Sequence, residues 1–109
     1  MKKKYRIKKN EEFTKIISKR HCVSNDIYTI FYDVKSEEYS RVGISVSKKL
    51  GIAPTRNKIR RQIRMMFIEN YDYENMPCDL IVIVRNKYLE NSYSDNLAHL
   101  EKLIKKAII

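Results

Sequence analysis

The stretch RVGISVSKKLGIAPTRNKIRRQIR, residues 41–64, sets the fold class. Its first seven residues alternate. Val42, Ile44 and Val46 point one way and Gly43, Ser45 and Ser47 the other, which predicts a strand over 41–47 with one small, bare face. From Thr55 the period changes. Ile59, Ile63, Met66 and Phe67 recur at helical spacing and predict a helix over 55–70. Beyond it Leu80, Ile81, Val82, Ile83 and Val84 are apolar on both faces, so a strand over 79–85 should be central and covered. Two strands joined through a helix are expected to run parallel.

Working outward, 27–34 alternates as a further strand. Tyr28, Ile30, Tyr32 and Val34 lie on one face, and Ile27, Thr29, Phe31 and Asp33 on the other. The polar run 35–40 reads as a hairpin connection to the strand at 41–47. Asn10, followed by Glu11 and Glu12, marks a helix start, and Phe13, Ile16 and Ile17 carry that helix to about Lys19. Ser92 or Ser94 can cap a last helix bearing Leu97, Leu100, Ile104 and Ile108. The order is αββαβα, an α+β sandwich of helices on a small mixed sheet, as a single domain over 1–109. No repeat or linker interrupts it.

The chain has 109 residues and a formal net charge of +10, from 23 Lys and Arg against 13 Asp and Glu. An excess of this size favours a polyanionic partner, nucleic acid or an anionic membrane. The longest apolar run, 80–84, is far too short to span a bilayer, and no hydrophobic segment follows the basic start as a secretory signal requires. Cys22 and Cys78 make neither a disulfide framework nor a zinc spacing, and they read as reduced thiols of a cytoplasmic protein.

The charge is unevenly placed. Between Arg41 and Ile68 there is no acidic residue, while Arg41, Lys48, Lys49, Arg56, Lys58, Arg60, Arg61 and Arg64 all fall there. On the helical wheel Asn57, Arg60, Arg61 and Arg64 share one side. Like charges at these spacings weaken an isolated helix, so a helix that keeps them without a balancing Glu points to an external anion. Arg grips phosphate through two parallel hydrogen bonds, and Asn can bond a base edge or a sugar. A second basic group, Lys2, Lys3, Lys4, Arg6, Lys8 and Lys9, is either a flexible arm along a phosphate backbone or a solubilising tail. Eight Tyr and three Phe suit base stacking. Phe31, on the sparser strand face, either borders a groove beside Gly43 and Ser45 or packs under a helix. Phe13 reads first as a core anchor.

No catalytic constellation is visible. His21 and His99 are isolated, Glu11 and Glu12 diverge around a helix, and Glu37 and Glu38 fall in a loop. The charge pattern by itself fits a ribosomal or other structural RNA-binding protein. A DNA-binding regulator with a helix in the major groove and a stand-alone nuclease are the further rivals, though no dimerisation segment and no nuclease site is visible.

An ordered motif separates these. SVSKK-x-G over 45–51, then Ala53, then Arg56-Asn57-Lys58 and the basic helix face, strongly resembles the bacterial ribonuclease P protein family. The likeness extends upstream through RIKKNEEF, 6–13, and downstream through the apolar strand at 80–84. It implies a fold like domain 2 of ribosomal protein S5, with a left-handed βαβ crossover. The general preference is for the opposite hand.

It also implies a division of labour. A large RNA subunit holds the active site and its Mg2+ ions, and the protein has no metal site and no catalytic residue. The holoenzyme removes the 5′ leader from precursor tRNA. The protein contacts the RNA subunit through Lys48, Lys49, Arg56, Asn57, Lys58, Arg60, Arg61 and Arg64. It holds the single-stranded leader between the first helix and the sheet, at Phe13, Ile17, Phe31, Arg41 and Ser45, and is a monomer outside the holoenzyme. Three residues depart from the family pattern. Lys58 replaces the second Arg of a triplet, Ile52 stands where Asn is usual, and Ile17 stands where some members have a second cleft aromatic.

Overall fold

In the computed structural model, which describes residues 2–108, the apolar run at 80–84 becomes the centre of a four-stranded sheet. The elements in chain order are α1 (Asn10–Ser18), β1 (Cys22–Ser24), β2 (Tyr28–Val34), β3 (Val42–Ser45), α2 (Ala53–Asn70), β4 (Cys78–Val84) and α3 (Tyr93–Ile108). The strand order is β1-β2-β4-β3. β4 runs antiparallel to β2 and parallel to β3, as expected for strands joined through a helix.

The expected β2–β3 hairpin does not form. β4 is inserted between the two strands, because only a strand apolar on both faces can be covered on both. Residues 35–40 therefore cross the end of β4 instead of turning tightly. Ser40 is buried there, its N–H donating to the Tyr73 carbonyl at 2.7 Å and its hydroxyl to the Cys78 carbonyl. The short strand β1 has no counterpart among the expected elements. It pairs antiparallel with β2 through a turn in which the Asn25 side chain accepts from the N–H groups of Ile27 and Tyr28, at 2.9 and 2.8 Å.

The sheet divides the interior into two clusters. On one face Tyr28, Ile30, Val42, Leu80 and Val82 pack against the predicted stripe of α2, Ile59, Ile63, Met66 and Phe67, and against Leu100, Leu103 and Ile104 of α3. Leu97 packs partly buried on its edge, and the side chain of Ile108 lies outside the described residues. Of the two candidate caps for α3, Ser92 serves: its hydroxyl accepts from the Asp95 N–H at 3.2 Å. A relay of polar contacts locks this side. The Tyr28 hydroxyl donates to the Asn96 carbonyl, the Asn96 amide to the Tyr88 carbonyl, and the Tyr88 hydroxyl to the Gln62 side chain.

On the opposite face Ile7, Ile16 and Ile81 are buried, with Phe13, Ile17, Phe31 and Ile83 partly buried around them. This cluster recruits the N-terminal basic segment, which docks through Tyr5, Arg6 and Ile7. Ile7 donates its N–H to the Val42 carbonyl at 3.1 Å, and Arg6 bridges Val42 in parallel register at the sheet edge. The Tyr5 ring stacks on Tyr73 at 4.4 Å, and its hydroxyl donates to Glu74 at 2.6 Å. Burying Ile7 and stacking Tyr5 offsets the cost of ordering Arg6 between them.

Candidate nucleic-acid interface

α2 carries the basic surface. It begins after a 3₁₀ turn, Lys48–Leu50, in which Leu50 is buried and both lysines are exposed. Gly51 follows with φ of 134°, a conformation that side chains resist, and the Arg56 Nε donates back to its carbonyl at 3.2 Å. Asn57 and Arg60 are joined by a 2.8 Å hydrogen bond from the guanidinium to the amide oxygen. Among the described residues the ion pairs are Lys4–Glu74, Arg41–Glu12, Arg41–Asp79 and Lys87–Asp26. Thus Lys48, Lys49, Arg56, Lys58, Arg60, Arg61 and Arg64 stand with no carboxylate partner there. Arg64 is half-buried, and its pKa is lowered first by that burial and then by the charges of Arg6 and Arg60. The docking of Arg6 thus brings the N-terminal basic group up to the edge of the α2 face. The lone apolar Ile7 inside a basic run was the signal that this segment packs.

The second surface lies where α1 crosses the sheet. Phe31, Ile81 and Gly43 stand opposite one another in one row across β2, β4 and β3, and Thr29, Ile83 and Ser45 in the next. Phe31 and Gly43 are therefore two strands apart on one face, not direct neighbours. Phe13 packs down onto Gly43. The half-buried Thr29, Ile83 and Ser45 form the sheet floor beside α1, and Phe13, Ile17 and Phe31 form an apolar rim partly open to solvent. Phe31 packs beneath α1 and stays partly exposed.

Arg41 is placed differently from the other sequence candidates. Its guanidinium pairs with Glu12 and lies 3.5 Å from Asp79, whose other oxygen accepts the Arg41 N–H at 2.9 Å. Burial works against its charge, but the Glu12 hydrogen bond and Asp79 outweigh that and raise its pKa. Its charge is spent on joining α1 to the sheet. Its distance from Glu12 in sequence hid the pair.

The same contact bears on metal chemistry. Glu12 and Asp79 both pair with the Arg41 guanidinium, and Asp33 stands opposite Asp79 on β2. Among the described residues no group of three or more His, Cys, Asp or Glu is arranged to hold a metal ion, and no helix is long and apolar enough to cross a membrane.

The fold and this surface define a basic α+β sandwich that presents one helix face of unneutralised cations. A family model described as Ribonuclease P matches residues 1–108. The chain belongs to the ribonuclease P protein component family, which supplies a subunit of an endoribonuclease of tRNA processing. It is 46 % identical over 105 residues to the ribonuclease P protein component of Mesoplasma florum, spanning 95 % of this chain and 96 % of that protein. It is 40 % identical over 108 residues to that of a Geobacillus strain, spanning 98 % and 93 %. The solved structure of the Staphylococcus aureus RNase P protein superposes with a TM-score of 0.84 at 36 % identity, covering 96 % of this chain and 98 % of that one. The Thermotoga maritima RNase P protein gives 0.80 at 25 % identity, covering 93 % and 96 %.

Proposed function

We propose that this chain binds the RNA subunit of ribonuclease P through the exposed face of α2. We further propose that it holds the single-stranded 5′ leader of precursor tRNA along the groove between α1 and the sheet. The holoenzyme then hydrolyses the phosphodiester that joins leader to mature tRNA. The observation that carries this reading is the run of seven cations from Lys48 to Arg64 with no carboxylate partner among the described residues, in a member of this family. Such a surface is held at a repulsive cost that a phosphate backbone relieves.

The chemistry belongs to the RNA subunit in this reading. Arg41 pairs with both Glu12 and Asp79, and in this reading the Mg2+ ions are held by RNA and substrate. The protein contributes position. Cations fix the RNA subunit, and Phe13, Phe31 and Ile17 offer apolar surface to unpaired leader bases beside the polar Ser45. Arg41 serves that groove indirectly, by tying α1 to the sheet. The protein works in the cytoplasm and is a monomer until it meets the RNA.

Reconstitution is the test. Pure protein with Mg2+ should leave precursor tRNA intact, and adding the RNA subunit should produce cleavage at the mature 5′ end. Cleavage by the protein alone, after rigorous removal of contaminating nuclease, would place the active site on the protein and end this reading.

A further inference from the structure

The α2 face does not stop at its arginines. On the flank towards α3 it falls into a groove of about 400 Å³ lined by Lys58, Arg61, Gln62, Met65, Glu69 and Tyr93. A second groove of about 260 Å³ shares Lys58, Gln62 and Tyr93 and continues under Leu89. The lining has an unusual mixture. Tyr93, Met65 and Leu89 are large apolar side chains left 36 %, 46 % and 53 % exposed, next to two cations without carboxylate partners among the described residues. Among the described residues no hydrogen bond holds the Tyr93 hydroxyl, whereas buried Tyr28 and Tyr88 are both anchored through theirs. Tyr93 thus lines both grooves with a ring that is partly open to solvent.

The groove also has a direction. Lys58 and Arg61 lie on the first half of α2, Met65 one turn on, and Glu69 a further turn on, so positive charge gives way to apolar surface and then to a carboxylate. A phosphate is favoured at the first end and repelled from the last, with an aromatic face between. Gln62, whose carbonyl oxygen is taken by the Tyr88 hydroxyl, offers its amide N–H groups as donors. This order of chemistries fits one nucleotide: phosphate, then base.

We propose that this groove takes a single unpaired nucleotide of the RNA subunit, its base stacked on Tyr93 and its phosphate held by Lys58 and Arg61. The proposal rests on the reading of α2 as the surface for the RNA subunit, with which the groove is continuous. Stacking needs a π-face, not merely apolar bulk, and a base is bound this way with little regard to its identity.

Two substitutions separate stacking from packing. Tyr93→Phe keeps the ring and should bind the RNA subunit as the wild type does. Tyr93→Leu keeps apolar bulk without the π-face and should weaken binding about five-fold or more. Thermal unfolding of both variants on the same samples must match the wild type for the comparison to count, and Tyr93 is exposed enough to permit it. The chain has no Trp, so Tyr93→Trp adds a unique fluorophore. Its emission should be quenched by the RNA subunit and not by precursor tRNA alone. Val34→Trp, on an exposed site of β2, should be unaffected by the RNA subunit.

Equal affinity of Tyr93→Leu and wild type would overturn the proposal. So would an unquenched Tyr93→Trp on RNA that is demonstrably bound, or quenching by precursor tRNA alone. If Arg60→Ala with Arg64→Ala weakens binding while Tyr93→Leu does not, only the nucleotide site fails. If neither matters, the reading of α2 fails with it.

Discussion

The ring of Phe13 in α1 lies so close over Gly43 in β3 that a methyl group at position 43 would sit 2.7 Å from its Cζ. The bare strand face expected from Gly43, Ser45 and Ser47 is the socket for this ring. A Cβ at 43 would also meet the Ile7 Cβ at 3.2 Å, so the N-terminal segment shares the same close approach. Gly43→Ala should therefore push α1 off the sheet. Overpacking of this kind costs about 1–3 kcal/mol. Urea unfolding should register that loss. Leader-dependent affinity should fall as well, while affinity for the RNA subunit, carried by α2, stays the same. A Gly43→Ala variant as stable as wild type would mean that α1 can shift without cost.

Arg60→Ala with Arg64→Ala should lower the slope of log affinity against log salt for the RNA subunit by about 0.7–0.9 for each phosphate that is no longer neutralised. Arg64 is half-buried and Arg60 is bonded to Asn57, so thermal unfolding of the double variant is measured alongside. An unchanged slope in the folded double variant would mean that this face is merely solvated.

Phe31 calls for two variants, because it packs and is exposed at once. Phe31→Ala should cost about 2 kcal/mol, below the ~3–5 kcal/mol of a fully buried Phe. Phe31→Leu retains most of the packing but not the ring face, and should weaken the leader's contribution to affinity about five-fold. Both are measured by comparing precursor with mature tRNA, alongside thermal unfolding. If Phe31→Leu preserves the wild-type difference, the ring is structural.

Arg41→Gln leaves Glu12 and buried Asp79 without their cation, with Asp33 facing Asp79 across the strands. Breaking a largely buried pair from one side should cost about 2–3 kcal/mol, somewhat less than the ~3–5 kcal/mol of a fully buried one. Glu12→Gln added to Arg41→Gln should recover part of that loss, as coupled residues do in a double-variant cycle. Strict additivity would dissolve the link between α1 and the sheet.

The two thiols should react at different rates. Cys22 is exposed at the sheet edge, whereas burial, and then the charges of Asp79 and Asp33, raise the pKa of Cys78. Thiolate is the reactive form. At a mildly alkaline pH of about 8, near the ordinary thiol pKa, a maleimide or disulfide reagent should modify Cys22 first, with Cys78 following only slowly; mass mapping of the labelled peptides decides it. Equal rates would mean that the end of β4 opens readily.

Much of this was determined by the sequence alone, wherever the signal was local. The stripe Ile59, Ile63, Met66 and Phe67 repeats every turn, so α2 and its buried side could be read directly, and the acid-free basic face followed from the same wheel. The two-sided apolar run at 80–84 announced a central strand. The ordered motif at 45–64 announced the family.

What the tertiary structure decided is everything that depends on which distant residues meet. Period-2 alternation says which residues share a face but not which strand lies next, so β2 and β3 could be read as partners until β4 was found between them. Three residues are too few to show a period, which hid β1. Arg41 looked like one more free cation because Glu12 and Asp79 are remote in sequence, and a charge is neutralised by proximity in space. The docked Arg6 and the open ring of Tyr93 became visible for the same reason. An aromatic or a cation has one meaning in the chain and another once the fold has settled what, if anything, stands against it.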